Sequence, residues 1–133
     1  MKIASIDHIG IIVRDIDKSL IFYRDILKLP FEGIEKNEIH KLSIAFLRCG
    51  DVLVELLQPM GEGVYKEYLD KNGEGFHHIA FKADDITAGL EYLKSNNIPL
   101  VHEQPVIGGG GALIAFLQDV AANSVSIEII EKK

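Results

Sequence analysis

The chain repeats itself, and the repeat limits what it can fold into more than any other feature. Asp7-His8-Ile9-Gly10 aligns with His77-His78-Ile79-Ala80 at a shift of 70 positions. The same shift places Asp15-Ile16 on Asp85-Ile86, Leu20 on Leu90, and Ala45-Phe46-Leu47 on Ala115-Phe116-Leu117. The register then slips by three, so that Val54-Glu55-Leu56 falls on Ile127-Glu128-Ile129. Each copy opens on a histidine among apolar residues and closes on a glutamate among apolar residues. A sequence copied within one chain predicts one supersecondary unit built twice. The matched histidines and glutamates predict a single metal site assembled from both copies.

Periodicity gives the unit. Ile3 to Val13 is β-rich and mostly apolar, as a buried strand requires. Asp15 has the character of a helix N-cap, and Ile16, Leu20, Tyr23, Ile26 and Leu27 follow at helical spacing until Pro30. Strands are expected near Phe31–Glu35, Leu42–Cys49 and Val52–Gln58, the last two joined by a tight turn at Gly50-Asp51. Val64 to Lys71 reads as a short bridging helix ended by Asn72-Gly73. The second copy repeats the order: a strand over Phe76–Ala83, a helix capped by Asp85 and running to about Ser95, and strands near Pro99–Gln104, Leu113–Leu117 and Val125–Glu131. The chain is thus read as one α+β domain, 1–133, of two tandem βαβββ modules. Module one covers about 1–58, a linker about 59–74, and module two about 75–133.

Alternation along the strands places the polar residues. Val52, Val54 and Leu56 share one face and Leu53, Glu55 and Leu57 the other, while Glu128 faces away from Ile127 and Ile129. The wholly apolar faces are expected to pack on the helices. This leaves Glu55 and Glu128 on the concave side of a curved mixed sheet, where a ligand sits. A glutamate there must be paired, protonated or metal-bound, because an isolated buried carboxylate costs several kcal/mol. Two imidazoles and two carboxylates, His8, Glu55, His78 and Glu128, suit one borderline divalent ion such as Zn, Ni, Co, Mn or Fe. Structural zinc usually recruits thiolates, and the chain has only Cys49. His77 aligns with Asp7 and should face away from His78 in a structural role. His40 and His102 have no counterpart in the repeat and are expected at the surface. Tyr23, Phe46 and Phe116 are expected in the core. The run Gly108-Gly109-Gly110-Gly111 is first a flexible connection and second a candidate substrate-binding loop.

The net charge is −6 and the pI about 5.3, which argues against nucleic acid or an anionic membrane as partner. One cysteine gives no internal disulfide. The N-terminus reaches Lys2 and Asp7 too soon for a signal peptide, and no apolar run nears the roughly 20 residues that span a bilayer. A cytoplasmic location is the expectation.

With these residues in place, the chain resembles the vicinal oxygen chelate (glyoxalase/bleomycin resistance) superfamily over nearly its whole length. Ile6-Asp7-His8-Ile9-Gly10, Gly73-Glu74-Gly75-Phe76-His77-His78-Ile79-Ala80-Phe81 with Asp84-Asp85-Ile86, Ile114-Ala115-Phe116-Leu117 and Glu55-Leu56-Leu57-Gln58-Pro59 are similar to methylmalonyl-CoA epimerase. The resemblance implies a glyoxalase-like fold around a central metal. It also implies His8, Glu55, His78 and Glu128 as ligands, with Glu128 and Glu55 moving a proton next to a carbonyl through a metal-bound enediolate. Glyoxalase I (lactoylglutathione lyase) carries the same ligand set, so the substrate is expected to be an acyl-CoA thioester or a glutathione hemithioacetal. A binding protein that sequesters a small molecule, as bleomycin resistance proteins do, is the reading from another class. An extradiol dioxygenase would leave one glutamate unused. Where epimerases carry a His-Pro-Lys-Ser-like turn this chain has Gln118 to Ser124, and Ser43 stands where one epimerase branch has a second acid/base glutamate. Relatives of this kind are usually dimers, and the linker is long enough for each site to be completed within one chain of a homodimer.

Overall fold

Residues 1–133 are all described by the computed structural model, and local chemistry accounts for where its elements begin and end. The first strand, β1, is Ile3–Ile12. Asp15 sits in extended backbone and accepts a hydrogen bond from Lys18 N at 3.2 Å, which caps helix α1, Ile16–Leu20. The helix widens into a π-helical stretch, Ile21–Ile26, and the chain turns at Lys28, where φ is 65°. Strands β2 (Phe31–Asn37), β3 (Leu42–Cys49) and β4 (Val52–Pro59) follow. Gly50, with φ 61°, supplies the turn between β3 and β4 that a side chain would strain. Helix α2 is Val64–Asn72. The second copy gives β5 (Gly75–Ala83), α3 (Ile86–Ser95), β6 (Val106–Ile107), β7 (Leu113–Phe116) and β8 (Ile127–Glu131). Asp85 caps α3 as Asp15 caps α1, accepting from Ala88 N at 3.0 Å.

The chain forms two compact units, residues 9–77 and residues 1–8 with 78–133. In the unit of 9–77 the strand order is β2-β3-β4-β1, with β2–β3 and β3–β4 antiparallel. Val54 and Leu56 pack with Ile16 and Leu20 of α1 on one side of this sheet, and Leu57, Ile12, Leu42 and Ile44 pack with Leu69 of α2 in a separate cluster. Leu56 is fully buried, and burying a leucine side chain contributes about 1.5–3 kcal/mol. In the other unit the order is β1-β5-β8-β7-β6. There β5 and β8 are parallel, and β8–β7 and β7–β6 are antiparallel. Ile129 and Ala115 pack with Ile86 and Leu90 of α3, while Ala80, Ile114, Phe116 and Ile130 form the cluster on the opposite face.

The last strand of each copy also ties down a helix. Gln58 Oε1 accepts from Ile16 N at 2.9 Å, and Glu131 Oε1 accepts from Ile86 N at 2.9 Å. Each side chain satisfies a first-turn N–H that the helix itself leaves unpaired.

Two segments depart from the sequence reading. The strand expected near Pro99–Gln104 is reduced to an isolated bridge between Leu100 and Leu117, and regular pairing is found at Val106–Ile107. Pro99 and Pro105 have no N–H to give a ladder, and Val101 N and His102 N both reach the one carbonyl of Phe116. Strand β8 begins at Ile127 rather than Val125, because Asn123 and Ser124 adopt left-handed turns with φ 58° and 66°.

Candidate metal centre

Alternation in the unit of 1–8 and 78–133 decides which side chains meet. Glu128 lies opposite Ala80 on β5 and opposite Phe116 on β7, so it shares a face with Ile130 and with His78, two residues before Ala80. The neighbouring strand β1 contributes His8. His8 and His78 are each 3% exposed and Glu128 is 4% exposed. His8 Nε2 and His78 Nε2 are 3.0 Å apart. Glu128 Oε2 is 3.3 Å from His8 Nε2, and its Oε1 is 3.4 Å from His78 Nε2. Phe116 closes one side, its ring edge-on to His78 with centroids 5.2 Å apart.

Behind His8 stands a carboxylate that the repeat did not mark. Asp7 Oδ2 accepts from His8 Nδ1 at 2.7 Å, and Asp7 Oδ1 accepts from Lys132 Nζ at 2.9 Å. Burial pushes the Asp7 carboxyl up, but the hydrogen bonds from His8 and Lys132 and the Lys132 charge outweigh it and hold the group below its usual range. Asp7 is therefore an acceptor only. Neighbours on a strand ordinarily face opposite ways, which is why alternation alone gave Asp7 no part beside His8. The signal available in the sequence is a carboxylate beside a histidine inside an otherwise apolar strand, Ile6-Asp7-His8-Ile9.

The donor set fits a divalent ion. Ligand atoms about 2.0–2.2 Å from a tetrahedral or octahedral ion lie roughly 3.0–3.4 Å from one another, the range found between the two imidazoles and the carboxylate. With Nδ1 hydrogen-bonded to a carboxylate, a neutral His8 turns an Nε2 lone pair toward His78 and Glu128. His8, His78 and Glu128 could thus hold a cation. Glu55 lies in the unit of 9–77, buried on β4 opposite Phe46 of β3. Each glutamate of the repeat therefore faces a phenylalanine across its sheet, Phe46 for Glu55 and Phe116 for Glu128.

The other histidines have different surroundings. His77 packs against Tyr68 and Tyr65, with centroids 4.6 and 5.2 Å away, and desolvation lowers its pKa to about 4. Its company differs from that of His78, as alternation requires. His40 and His102 are half-buried rather than surface residues. His102 Nδ1 accepts from Phe116 N at 3.0 Å, filling the irregular stretch before β6, and His40 lies edge-on to Tyr65. The glycine run closes the β6–β7 hairpin: Gly108 N donates to Ala112 O at 2.8 Å, and Gly110 takes φ 69°. A Cβ at Gly108 would come within 2.8 Å of Ile114.

The chain is similar to known proteins over most of its length. The model of the Glyoxalase/Bleomycin resistance protein/Dioxygenase superfamily matches residues 7–116. The chain is 35% identical to the uncharacterized protein YqjC of Bacillus subtilis, over 96% of this chain and 92% of that one. It is 31% identical to a lactoylglutathione lyase of Haemophilus influenzae, covering 95% of this chain and 91% of the lyase. The crystal structure of methylmalonyl-CoA epimerase from Mycobacterium tuberculosis superposes with a TM-score of 0.93 at 29% identity, covering 98% of this chain and 89% of the epimerase.

Proposed function

Because the chain belongs to the glyoxalase/bleomycin resistance protein/dioxygenase superfamily, we propose that it is a metal-dependent isomerase or lyase that moves a proton next to a carbonyl. The convergence of His8 Nε2, His78 Nε2 and the Glu128 carboxylate within 3.4 Å carries this reading. His8, His78, Glu128 and Glu55 are the proposed ligands of one divalent ion. When bound, the ion supplies Lewis-acid stabilisation of the negative charge that grows on a substrate oxygen as the neighbouring C–H bond breaks.

The chain's own groups do the rest. Glu128, with its two oxygens facing the imidazoles, takes the α-proton as a carboxylate and returns it as a carboxylic acid. Glu55 is the second carboxylate proposed for proton exchange. Ala80, Ile114, Phe116 and Ile130 keep the surroundings of Glu128 apolar, which limits exchange of the carried proton with water. The Gly108–Gly111 loop, first of all the β6–β7 connection, is the candidate for substrate contact.

The favoured substrate is an acyl-CoA thioester of the methylmalonyl type, with the proton returned to the opposite face of the same carbon. Support comes from the epimerase superposition and from a further solved epimerase in complex with methylmalonyl-CoA, which matches at TM-score 0.91 and 30% identity. Return to the adjacent carbon of a glutathione hemithioacetal is the second reading, and the 31% identity to a lactoylglutathione lyase favours it. Both substrates should be assayed on protein supplied with Ni²⁺, Co²⁺, Mn²⁺ or Zn²⁺. Turnover of one assigns it, and no turnover of either by metal-loaded protein removes both. Protein that retains no metal under any loading condition would favour small-molecule sequestration instead. We further propose a homodimer with each site completed within one chain. Mixing inactive His8→Ala chains with inactive Glu128→Ala chains should then recover no activity, and recovery would overturn the assignment.

A further inference from the structure

We propose that Asp7 and Lys132 form a positioning pair that locks His8 in its Nδ1–H tautomer and so keeps the Nε2 lone pair turned toward the ion. The inference rests on the reading of His8 as a metal ligand. It starts from an inventory of donors and acceptors. A neutral imidazole has one N–H and one lone pair, and the partner of one nitrogen decides the state of the other. Two carboxylates face the ring, both acceptors only: Asp7 Oδ2 at 2.7 Å from Nδ1 and Glu128 Oε2 at 3.3 Å from Nε2. The single proton of the neutral ring stays on Nδ1, where the hydrogen bond is the shorter. The second oxygen of Asp7 is engaged separately, 2.9 Å from Lys132 Nζ, so the carboxylate has a donor on each side.

Lys132 makes the arrangement directional. An ammonium has only donors and must face an oxygen. With aspartate at position 7 this constraint is invisible, because both ends of a carboxylate accept. Replace it with asparagine and the two ends differ. Lys132 then takes the amide oxygen, and the amide NH2 is left facing His8 Nδ1. The imidazole can meet that donor only by moving its proton to Nε2, where it blocks the metal. Asp7→Asn, nearly unchanged in shape, should therefore impair metal binding through the tautomer and not through packing. Removing the ammonium frees the amide to turn round and present its oxygen to Nδ1–H. Lys132→Met in the Asp7→Asn background should restore part of what was lost.

Zn²⁺ affinity, measured by competition with a chromophoric chelator, and ¹⁵N chemical shifts of the histidine rings in metal-free protein test this together. Asp7→Asn should weaken Zn²⁺ binding 10–100-fold, the loss typical when the partner behind a metal-bound histidine is changed. The double variant should recover at least threefold of that, and Lys132→Met alone should change affinity less than Asp7→Asn does. The His8 ring should report Nδ1–H in the parent and Nε2–H in Asp7→Asn. A parent His8 protonated on Nε2 overturns the proposal, as does an Asp7→Asn variant that binds Zn²⁺ like the parent. Equal loss in Asp7→Asn and in the double variant also overturns it, since simple loss of charge or of a direct ligand would give that result. Should the parent bind no Zn²⁺, the metal reading itself fails, and the ring shifts still decide the tautomer.

Discussion

His77 gives the structure its most quantitative exposure to test. It packs against Tyr65 and Tyr68 in the unit of 9–77, and desolvation there lowers its pKa from 6.5 to about 4. The unfolded chain therefore takes up a proton at higher pH than the folded one. The stability that goes with a neutral His77 is complete above pH 6.5 and is lost as pH falls from 6.5 toward 4. At pH 5 the unfolded imidazole is almost wholly protonated and the folded one about a tenth so, which puts the loss at about 2 kcal/mol, approaching roughly 3 kcal/mol below pH 4.

Replacing the imidazole with a ring that does not titrate removes this term and leaves the other acid-sensitive groups in place. His77→Phe should melt with a smaller acid-induced drop than the parent. With an unfolding entropy of about 2.1 cal/mol/K per residue over a chain of this length, 2 kcal/mol corresponds to about 7 °C. Thermal unfolding of metal-free protein at pH 7.5 and 5.0 measures it: the parent's drop should exceed the variant's by about that amount. His77→Gln should give the same difference, so the result does not depend on how well phenylalanine fits. Equal drops in parent and both variants would refute the reasoning and place the His77 pKa near its ordinary value.

Four shorter expectations follow. His8→Ala, His78→Ala and Glu128→Ala should each lower metal affinity at least tenfold by calorimetric or competition titration, whereas His77→Ala should keep the metal. If His77→Ala lost metal and His78→Ala kept it, the strand alternation would have been read in the wrong register. Gly108→Val should destabilise by about 1–3 kcal/mol in urea unfolding, since even its Cβ overlaps buried Ile114. Asp85→Ala should cost about 1 kcal/mol through the lost cap on Ala88 N, with metal affinity unchanged. Leu56→Ala should cost about 2–5 kcal/mol by leaving a cavity between β4 and α1.

What could be read from the chain and what could not divide along one physical line. Period-two alternation and duplication are local signals, and they placed Glu128 on the face opposite Ile127 and Ile129, separated His77 from His78, and found the caps Asp15 and Asp85 within the correct residue. The strand near Pro99 failed because hydropathy says nothing about which carbonyl an N–H will find. Two prolines and the shared Phe116 carbonyl displaced the pairing to Val106. His102 escapes sequence patterning for the same reason: its acceptor role for Phe116 N exists only once that irregular stretch has formed. Asp7 is the most instructive case. By alternation it belongs to the face away from His8, yet its side chain returns to His8 Nδ1 and meets a lysine 125 positions later. No window short enough to show a strand contains both partners. In the repeat, Asp7 aligns with a histidine that has a different neighbourhood, so duplication, which located His8, His78 and Glu128, masked the residue behind them. Symmetry in a duplicated chain marks what both copies need in common. A group that hydrogen-bonds one member of a matched pair has reason to occur in one copy only, and it must be sought where the copies disagree.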